Sequence, residues 1–287
     1  MSGSKIFTFH FSLFLFMLTS CSYIGEDERY IKVEPVGQDS ITTDTVGKME
    51  MRRVLLEDFT GQRCVNCPNA SDVITGLQES FGADTVIAVA IHAGPLAFYT
   101  NSKFLGLRTQ TGDEYYSHWQ LEYQPVGLVN RSAPTEYQEW TAKVREELQK
   151  TSSVTISLSG QISADRTSLT VNTAVTGLEG TASGYLQLWL TEDDITAFQL
   201  MPDGTRKDDY LHHHVFRAAV NGLWGQEILV EEGQTVNTAH TMPIDREWNP
   251  ERLAVVAFIY NDEGVLQVRQ FNIFDNETQN EPPNANP

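Results

Sequence analysis

The stretch VLLEDFTGQRCVNCP, residues 54–68, decides how the N-terminal half of this chain folds. It starts with a short apolar run that charged residues precede and Gly61 follows, which predicts a buried strand. Cys64 and Cys67 come next, and apolar residues spaced four apart predict a helix over residues 68–81. The cysteines therefore lie at a helix N-terminus, where unpaired N–H groups and the helix dipole stabilise a thiolate.

The elements that follow this stretch alternate between strand and helix. Residues 85–91 (TVIAVAI) are continuous and largely β-branched, as in a strand that is covered on both faces. Helices are predicted around 113–119 and over 135–150, with a short strand at 126–130 between them. Such alternation implies a partly parallel sheet, so residues 51–150 are predicted to form an α/β domain.

Beyond residue 150 the helical spacing disappears and short strands follow one another. Alternation of apolar and polar residues is plain in VTISLSG and SLTVNTAVT, and turn residues separate most runs. Short strands at this spacing predict an all-β antiparallel sandwich, Ig-like or jelly-roll-like, over residues 151–275. The polar end, residues 276–287, is predicted to be a disordered tail. The predicted strands are 154–160, 168–176, 185–191, 213–220, 227–231, 236–242, 253–260 and 265–271.

Residues 1–20 have the features of a secretory leader. Their apolar run, residues 6–18, is shorter than the roughly 20 residues that span a bilayer. The leader ends in Leu-Thr-Ser-Cys at residues 18–21, which resembles a bacterial lipobox and implies that Cys21 is lipidated. An ordinary signal peptide with a chance cysteine is the alternative. Residues 21–50 are then a flexible tether that joins the lipid in the outer membrane to the folded part.

Charge and cysteine content exclude several classes of protein. The chain of 287 residues carries 38 Asp and Glu against 20 Lys and Arg, a net charge of −18, so nucleic acid is not an expected partner. Three cysteines are too few for a disulfide-dense scaffold. No nucleotide-binding or metalloprotease motif is present, and no cofactor is expected.

Three interpretations of the Cys64–Cys67 pair compete. A structural disulfide at this spacing closes a very small loop and constrains the unfolded chain little. A zinc site needs two more ligands, and only His92 and His118 are available in this segment. Thiol–disulfide exchange needs a second sulfur one helical turn from the first, which this spacing supplies.

Two segments resemble thioredoxin. Residues 58–68 are similar to its active-site stretch, and residues 123–129 (YQPVGLV) resemble the segment with its cis-proline. The resemblance implies a thioredoxin-like domain in which the two cysteines, an acid and a proline form the catalytic site. By this resemblance Cys64 is the attacking thiol, Cys67 the resolving thiol, Asp58 the proton relay and Pro125 the substrate-binding cis-proline.

The sequence departs from thioredoxin around these residues. Arg63 stands where that family usually has tryptophan, and Val65-Asn66 lies between the cysteines instead of Gly-Pro or Pro-His. Gln124 precedes the proline where threonine or valine is common. The resemblance therefore bears more on the fold than on the activity.

Histidines in the C-terminal half offer a second candidate site. On a strand, His212 and His214 would share one face, and such a pair is able to bind a transition metal or haem iron. A solvated strand edge is the alternative, because no third ligand is evident in the sequence.

Taken together, the chain resembles the outer-membrane-protein-28-related lipoproteins of Bacteroidetes. The resemblance rests on Cys21, on residues 54–68, on PVGLVNR at 125–131 and on HHVFR at 213–217. It implies an outer-membrane, surface-exposed lipoprotein that acts as a binding or accessory protein, sometimes described as adhesin-like, whose protein or glycan partner the sequence does not identify. An acidic cluster at residues 26–28 is similar to the surface-export signal of such proteins. The alternative is a membrane-tethered thiol–disulfide oxidoreductase that acts on extracytoplasmic proteins through Cys64 and Cys67.

Overall fold

The computed structural model describes residues 49–274. The predicted leader (1–20), the lipidation site Cys21, nearly all of the tether (21–50) and the tail (276–287) lie outside the described residues. Within 49–274, no helix is both long enough and apolar enough to cross a membrane.

The N-terminal segment contains the predicted strands and helices in the predicted order. The helix predicted over 135–150 is shorter than expected, because a 3-10 turn at Tyr137–Glu139 precedes it. The observed elements are β1 (Glu50–Met51), β2 (Val54–Thr60), α1 (Cys67–Phe81), β3 (Val86–His92), α2 (Gln110–His118), β4 (Val126–Val129) and α3 (Trp140–Glu147).

The C-terminal segment is made of strands, as its alternating pattern predicts. Each predicted strand is present within a few residues of its expected bounds. The observed strands are β5 (Thr151–Ser152), β6 (Val154–Ile162), β7 (Ser168–Gly177), β8 (Thr181–Glu192), β9 (Ile195–Leu200), β10 (Arg206–His212), β11 (Val215–Ala219), β12 (Gln226–Glu231), β13 (Thr235–Pro243), β14 (Leu253–Asn261) and β15 (Gly264–Asn272).

The hairpin of β9 and β10 is the one large feature of this segment that the sequence analysis missed. Its two strands pair only with each other, in an antiparallel two-stranded sheet with a register shift. β10 begins with Arg-Lys-Asp-Asp, and all four residues are exposed. Because these charges hide the alternation of a strand, the segment does not stand out as one.

Strands from both halves of the chain build one central sheet in the order β15-β14-β8-β11-β3-β2-β4, and β12 adds to β8. β2 and β3 are parallel, whereas β4 is antiparallel to β2. The halves join where β11 runs parallel to β3, with Ala90 N–H donating to the carbonyl oxygen of His214 at 2.8 Å. The described residues also fall within one compact unit.

The core of the described residues has three large clusters around this sheet and a small fourth one of Leu107, Ile195, Ala197 and Val215. One cluster lies between its C-terminal strands and a second sheet, β13-β7-β6, which confirms the predicted packing of two sheets in a mostly β protein. A second cluster packs α1 and α3 on β2 and β3. The third lies on the opposite face and takes residues from both halves, among them Ile87, Tyr115, Trp189, Phe216 and Phe258.

Candidate functional site

Cys64 and Cys67 form a disulfide at the start of α1, with their Cα atoms 5.4 Å apart. The chain turns sharply here, because Cys64 N–H donates to the carbonyl oxygen of Gly61 at 2.9 Å. Pro68 occupies the first turn of the helix, where its missing N–H costs nothing. Each cysteine is only 2% exposed. The predicted disulfide is therefore present, and it is buried.

Asp58, the predicted proton relay, lies on β2 and is 1% exposed. Burial raises the pKa of its carboxyl to about 8, so the group is protonated at neutral pH. Its Oδ1 atom has no hydrogen-bond partner among residues 49–274. Asp58 and Cys67 line the same cavity, so the structure brings the predicted acid and the predicted resolving cysteine together.

This cavity, of about 300 Å³, lies between α1, the ends of β2 and β3, and β10. We call it the α1–β10 cavity. Its walls combine polar side chains with apolar ones such as Ile74 and Ala88, and its mouth lies between α1 and β10, where lining residues are exposed. Its lining includes Asp58, Thr60, Cys67, Ser71, Thr75, Gln78, His92, Gln199, Tyr210, Leu211, His212, His213 and His214.

Two buried histidines face each other across this lining. The rings of His92 and His212 lie 5.2 Å apart, edge to face. Burial lowers the pKa of both, that of His212 to about 4, so both are neutral at physiological pH. His92 Nδ1 and His212 Nε2 lack hydrogen-bond partners in the described part of the chain.

The β9–β10 hairpin covers the disulfide by hydrogen bonds. Gln199 Nε2 donates to the carbonyl oxygen of Cys64 at 2.9 Å. Leu200 N–H donates to the carbonyl oxygen of Gln62 at 2.9 Å, and Gln62 Nε2 donates to that of Phe198 at 3.3 Å. Gln62 and Gln199 are both buried, so these bonds are shielded from water.

Aromatic and cationic groups add to this cover. Phe198 stacks on Phe98 at a ring separation of 5.0 Å, and the Arg63 guanidinium lies 5.2 Å from the Phe98 ring. Arg206, from β10, lies 4.6 Å from the Phe198 ring. The hairpin thereby contacts Phe98, and Arg63, the residue before Cys64, contacts the same ring.

Pro125 lies at the start of β4, and its peptide bond with Gln124 is cis, as the resemblance to thioredoxin implies. The Gln124 side chain donates to the carbonyl oxygens of Thr60 and Ala93, at the ends of β2 and β3. Pro125 lines a shallow groove together with Asn66, the residue just before Cys67. The fourth predicted site residue therefore lies next to the cysteine loop.

His212 and His214 do not share one strand face, so that prediction was wrong. β10 ends at His212, and His214 has a φ of 55°, which breaks the alternation. The His212 ring points into the core, whereas His214 contacts Asp193 at 3.3 Å and Gln78 at 3.2 Å. Across residues 49–274, no three His, Cys, Asp or Glu side chains are grouped to hold a metal ion. The zinc alternative also finds no support, since both cysteines are in the disulfide and His118 packs on Trp224.

Sequence reasoning missed Gln199 and Tyr210, because it missed the hairpin that carries them. The sequence held one signal of this hairpin, because Pro202-Asp203-Gly204 is typical of a turn. In the structure, the residues before this turn alternate between more and less buried positions, as expected of a strand.

Comparison with known proteins places the chain in a family. The family model described as Outer membrane protein Omp28 matches residues 112–277, more than half of the chain. The chain belongs to the Omp28 family. The predicted family is thus confirmed, and Omp28 is a family of outer membrane proteins. None of the curated proteins compared with this Omp28-family chain matches it.

Two solved structures from Porphyromonas gingivalis are similar. HBP35 matches with a TM-score of 0.63 and 16% identity over 84% of this chain and 81% of its own, which indicates a shared fold. A domain of the outer membrane lipoprotein Omp28 matches with a TM-score of 0.32 and 22% identity, over 42% of this chain and 88% of its own.

Proposed function

We propose that this Omp28-family chain is an outer-membrane-anchored thiol–disulfide oxidoreductase whose redox pair is Cys64 and Cys67. The observation that carries the proposal is the α1–β10 cavity, whose lining contains both Cys67 and the protonated Asp58. A buried, unpartnered carboxyl is costly to keep, so its position beside a redox-competent cysteine favours a chemical role.

A thioredoxin-like arrangement of the elements around the pair supports the proposal. β2, α1 and β3 form a parallel crossover unit, and the cysteines lie at its strand-to-helix turn. β4 follows Pro125 and adds antiparallel to β2. This order places the pair, the acid and the proline at one end of the sheet.

Each residue then has a defined task. Cys64, at the N-terminus of α1, attacks a substrate disulfide as a thiolate and forms a mixed disulfide. Cys67 attacks Cys64 Sγ, which releases the reduced substrate and restores the Cys64–Cys67 bond. Asp58 has a pKa near that of a thiol, so the fraction of Asp58 that is ionised accepts the Cys67 proton without a large energetic cost. The groove at Pro125 and Asn66 receives the substrate chain.

Trapping of the mixed disulfide tests this function. In Cys67→Ser the attacking Cys64 lacks its resolving partner, so disulfide-linked adducts should accumulate on the protein in cells. Cys64→Ser/Cys67→Ser is the control and should carry none. If Cys67→Ser and Cys64→Ser both remain free of adducts, the pair does not exchange with substrates.

We further propose that a lipid on Cys21 anchors the chain to the outer membrane and that the acidic cluster at residues 26–28 directs it to the cell surface. Cys21→Ser should then leave the membrane fraction for the soluble fraction. Added protease should cleave the wild-type chain on intact cells, and full protection would exclude a surface location.

A specific observation also favours a second candidate, an adhesin-like binding or accessory role. The outward side of the sheet β13-β7-β6 carries no charged residue, although protein surfaces are usually about a quarter to a third charged. At a net charge of −18, copies of the chain repel one another elsewhere, so this face suits contact with a second copy. The outward residues are Thr155, Ser157, Ser159, Gln161, Ser168, Thr170, Asn172, Ala174, Thr176, Thr235, Asn237, Ala239, Thr241 and Pro243.

Sedimentation velocity of the detergent-solubilised chain tests this second candidate. Asn172→Asp/Asn237→Asp should abolish self-association, because it places like charges on the face, whereas Gln226→Glu on β12 should not. A chain that is monomeric at every concentration contradicts contact with a second copy through this face.

A further inference from the structure

The oxidised pair is closed on the side of the β9–β10 hairpin. Both cysteines are 2% exposed, and Gln199 from the hairpin is bonded to the carbonyl oxygen of Cys64. A thiol carried on a folded polypeptide cannot approach the disulfide from this side while the hairpin is in place. A thiol that reduces the oxidised pair while the hairpin covers it must therefore reach the sulfur atoms from another side.

The α1–β10 cavity offers such a route to Cys67. Cys67 lines the cavity and Cys64 does not. Thr75, Leu211 and His213 are exposed and line the cavity, which places its mouth between α1 and β10. Its 300 Å³ corresponds to about ten water molecules, too little for a tripeptide thiol such as glutathione.

The polar atoms of the cavity define the chemistry of its occupant. Asp58 Oδ1, His92 Nδ1 and His212 Nε2 lack partners within the described residues, and all three side chains are more than nine-tenths buried. Unpaired buried polar atoms are costly unless a water or a ligand satisfies them. Tyr210 lies in the same lining, where burial raises its pKa, a hydrogen bond with Ser71 lowers it, and the charge of Asp72 raises it. A small occupant with an amino group fits these atoms, because the Asp58 oxygen, and each histidine nitrogen in one of its two tautomers, is able to accept a hydrogen bond.

We propose that the α1–β10 cavity binds a small aminothiol, of the size of cysteamine or cysteine, and that this thiol reduces the closed disulfide by attack on Cys67. The inference rests on the proposed exchange function and names the reductant class for the same pair. The amino group would be held by the unpartnered acceptors of the cavity, which leaves the sulfur free to face Cys67.

The reaction balances with two aminothiols. The first attacks Cys67 Sγ as a thiolate, the Cys64–Cys67 bond breaks, and Cys64 leaves as a thiolate at the N-terminus of α1. The proton of the entering thiol passes to the ionised form of Asp58. The second aminothiol attacks the sulfur of the first, which releases the aminothiol disulfide and leaves Cys67 to take the proton from Asp58. The proton of the second thiol goes to Cys64 or to solvent, so two thiols are oxidised and one protein disulfide is reduced.

The experiment measures the rate at which the pair is reduced in the folded, detergent-solubilised chain. Free Cys64 and Cys67 are alkylated and quantified by mass spectrometry after exposure to cysteamine, 2-mercaptoethanol or glutathione at equal thiolate concentration. Cysteamine should react at least about tenfold faster than glutathione and faster than 2-mercaptoethanol, because access and binding both favour it. Leu211→Trp narrows the mouth and should slow cysteamine by about tenfold. Leu229→Trp, at an exposed leucine on β12 that does not line the cavity, is the matched control.

The outcomes separate this inference from the proposed function. Equal rates with cysteamine and glutathione, or no effect of Leu211→Trp, overturn the cavity as the route while the exchange function stands. An equal rate with 2-mercaptoethanol overturns recognition of the amino group. A pair that resists every thiol when folded, but not when unfolded, overturns both the inference and the exchange function.

Discussion

Gln199 donates its side-chain amide to the backbone carbonyl oxygen of Cys64 at 2.9 Å, across 135 residues of sequence. The bond joins the edge of the β-rich half to the cysteine loop of the N-terminal half. Access to the disulfide is therefore controlled by a hairpin that is remote in the chain.

Gln199→Ala should loosen this cover. Loss of a buried hydrogen bond costs about 1–1.5 kcal/mol, which corresponds to a roughly tenfold rise in the open population. We expect dithiothreitol to reduce the folded pair about that much faster. Stopped-flow alkylation measures the rate, and Gln161→Ala, on the exposed outer sheet face, is the control. An unchanged rate would mean that the hairpin does not limit access.

Asp58→Asn should remove a pH dependence of stability. The folded chain keeps the Asp58 proton up to pH about 8, whereas in the unfolded chain the carboxyl ionises near its ordinary pKa of 3.8. The folded state thus binds more protons between these values, and the free energy of unfolding falls as pH rises toward 8. From pH 6.5 to 8 the wild type should lose roughly 1–2 kcal/mol relative to Asp58→Asn. Urea unfolding of both proteins with the disulfide intact measures the difference, and parallel curves contradict the raised pKa.

His212→Gln should change stability in the acid range instead. Burial lowers the His212 pKa from 6.5 to about 4, so its contribution is present above pH 6.5 and is lost as pH falls toward 4. Between these values the wild type should lose more stability than His212→Gln does. Thermal unfolding at pH 4.5, 5.5 and 6.5 gives the comparison, and the prediction fails if the variant is the more acid-sensitive protein.

Arg131→Met should be strongly destabilising. Arg131 Nε donates to Glu57 Oε1 at 2.9 Å, and both side chains are almost fully buried. Its guanidinium also lies 4.1 Å from the Tyr260 ring and 4.7 Å from the Phe258 ring. Removal of one partner leaves a buried charge unpaired, and we expect a loss of about 3–5 kcal/mol in denaturant unfolding.

Arg166→Met is the matched control for the Arg131 variant. Arg166 and Glu251 are both exposed and lie 3.8 Å apart, and such pairs contribute at most about 1 kcal/mol. Equal losses of unfolding free energy in the two variants would show that burial does not make the Arg131–Glu57 pair more stabilising than an exposed pair.

The sequence predicted those parts of the site that depend on local pattern. β2, α1 and the cysteine pair follow from apolar spacing and from turn residues within a few positions of one another. The 3-10 turn before α3 did not follow, because Thr135 N–H donates to the carbonyl oxygen of Gly127 and the helix starts only at Trp140. This pairing depends on β4, which the pattern of residues 135–150 does not contain.

The position of the β9–β10 hairpin over the disulfide could not be predicted either, because it too depends on contacts between distant parts of the chain. Four exposed charged residues open β10, so its periodicity is hidden, and β9 and β10 pair only with each other. Their position over Cys64 is set by contacts of Phe198 and Gln199 of β9 with Gln62, Cys64 and Phe98, which are distant in sequence. The pairing of β11 with β3 at Ala90 and His214, which helps to join the two halves, is likewise non-local in sequence.

The reduction potential of the Cys64–Cys67 pair tests the exchange function most directly. The detergent-solubilised chain is equilibrated in thiol–disulfide buffers of graded potential, and the reduced fraction is read by mass spectrometry. A potential between about −120 and −270 mV, the range of known exchange catalysts, is the predicted result. A value below about −300 mV, or a folded pair that never equilibrates, would mark a structural disulfide and contradict the account.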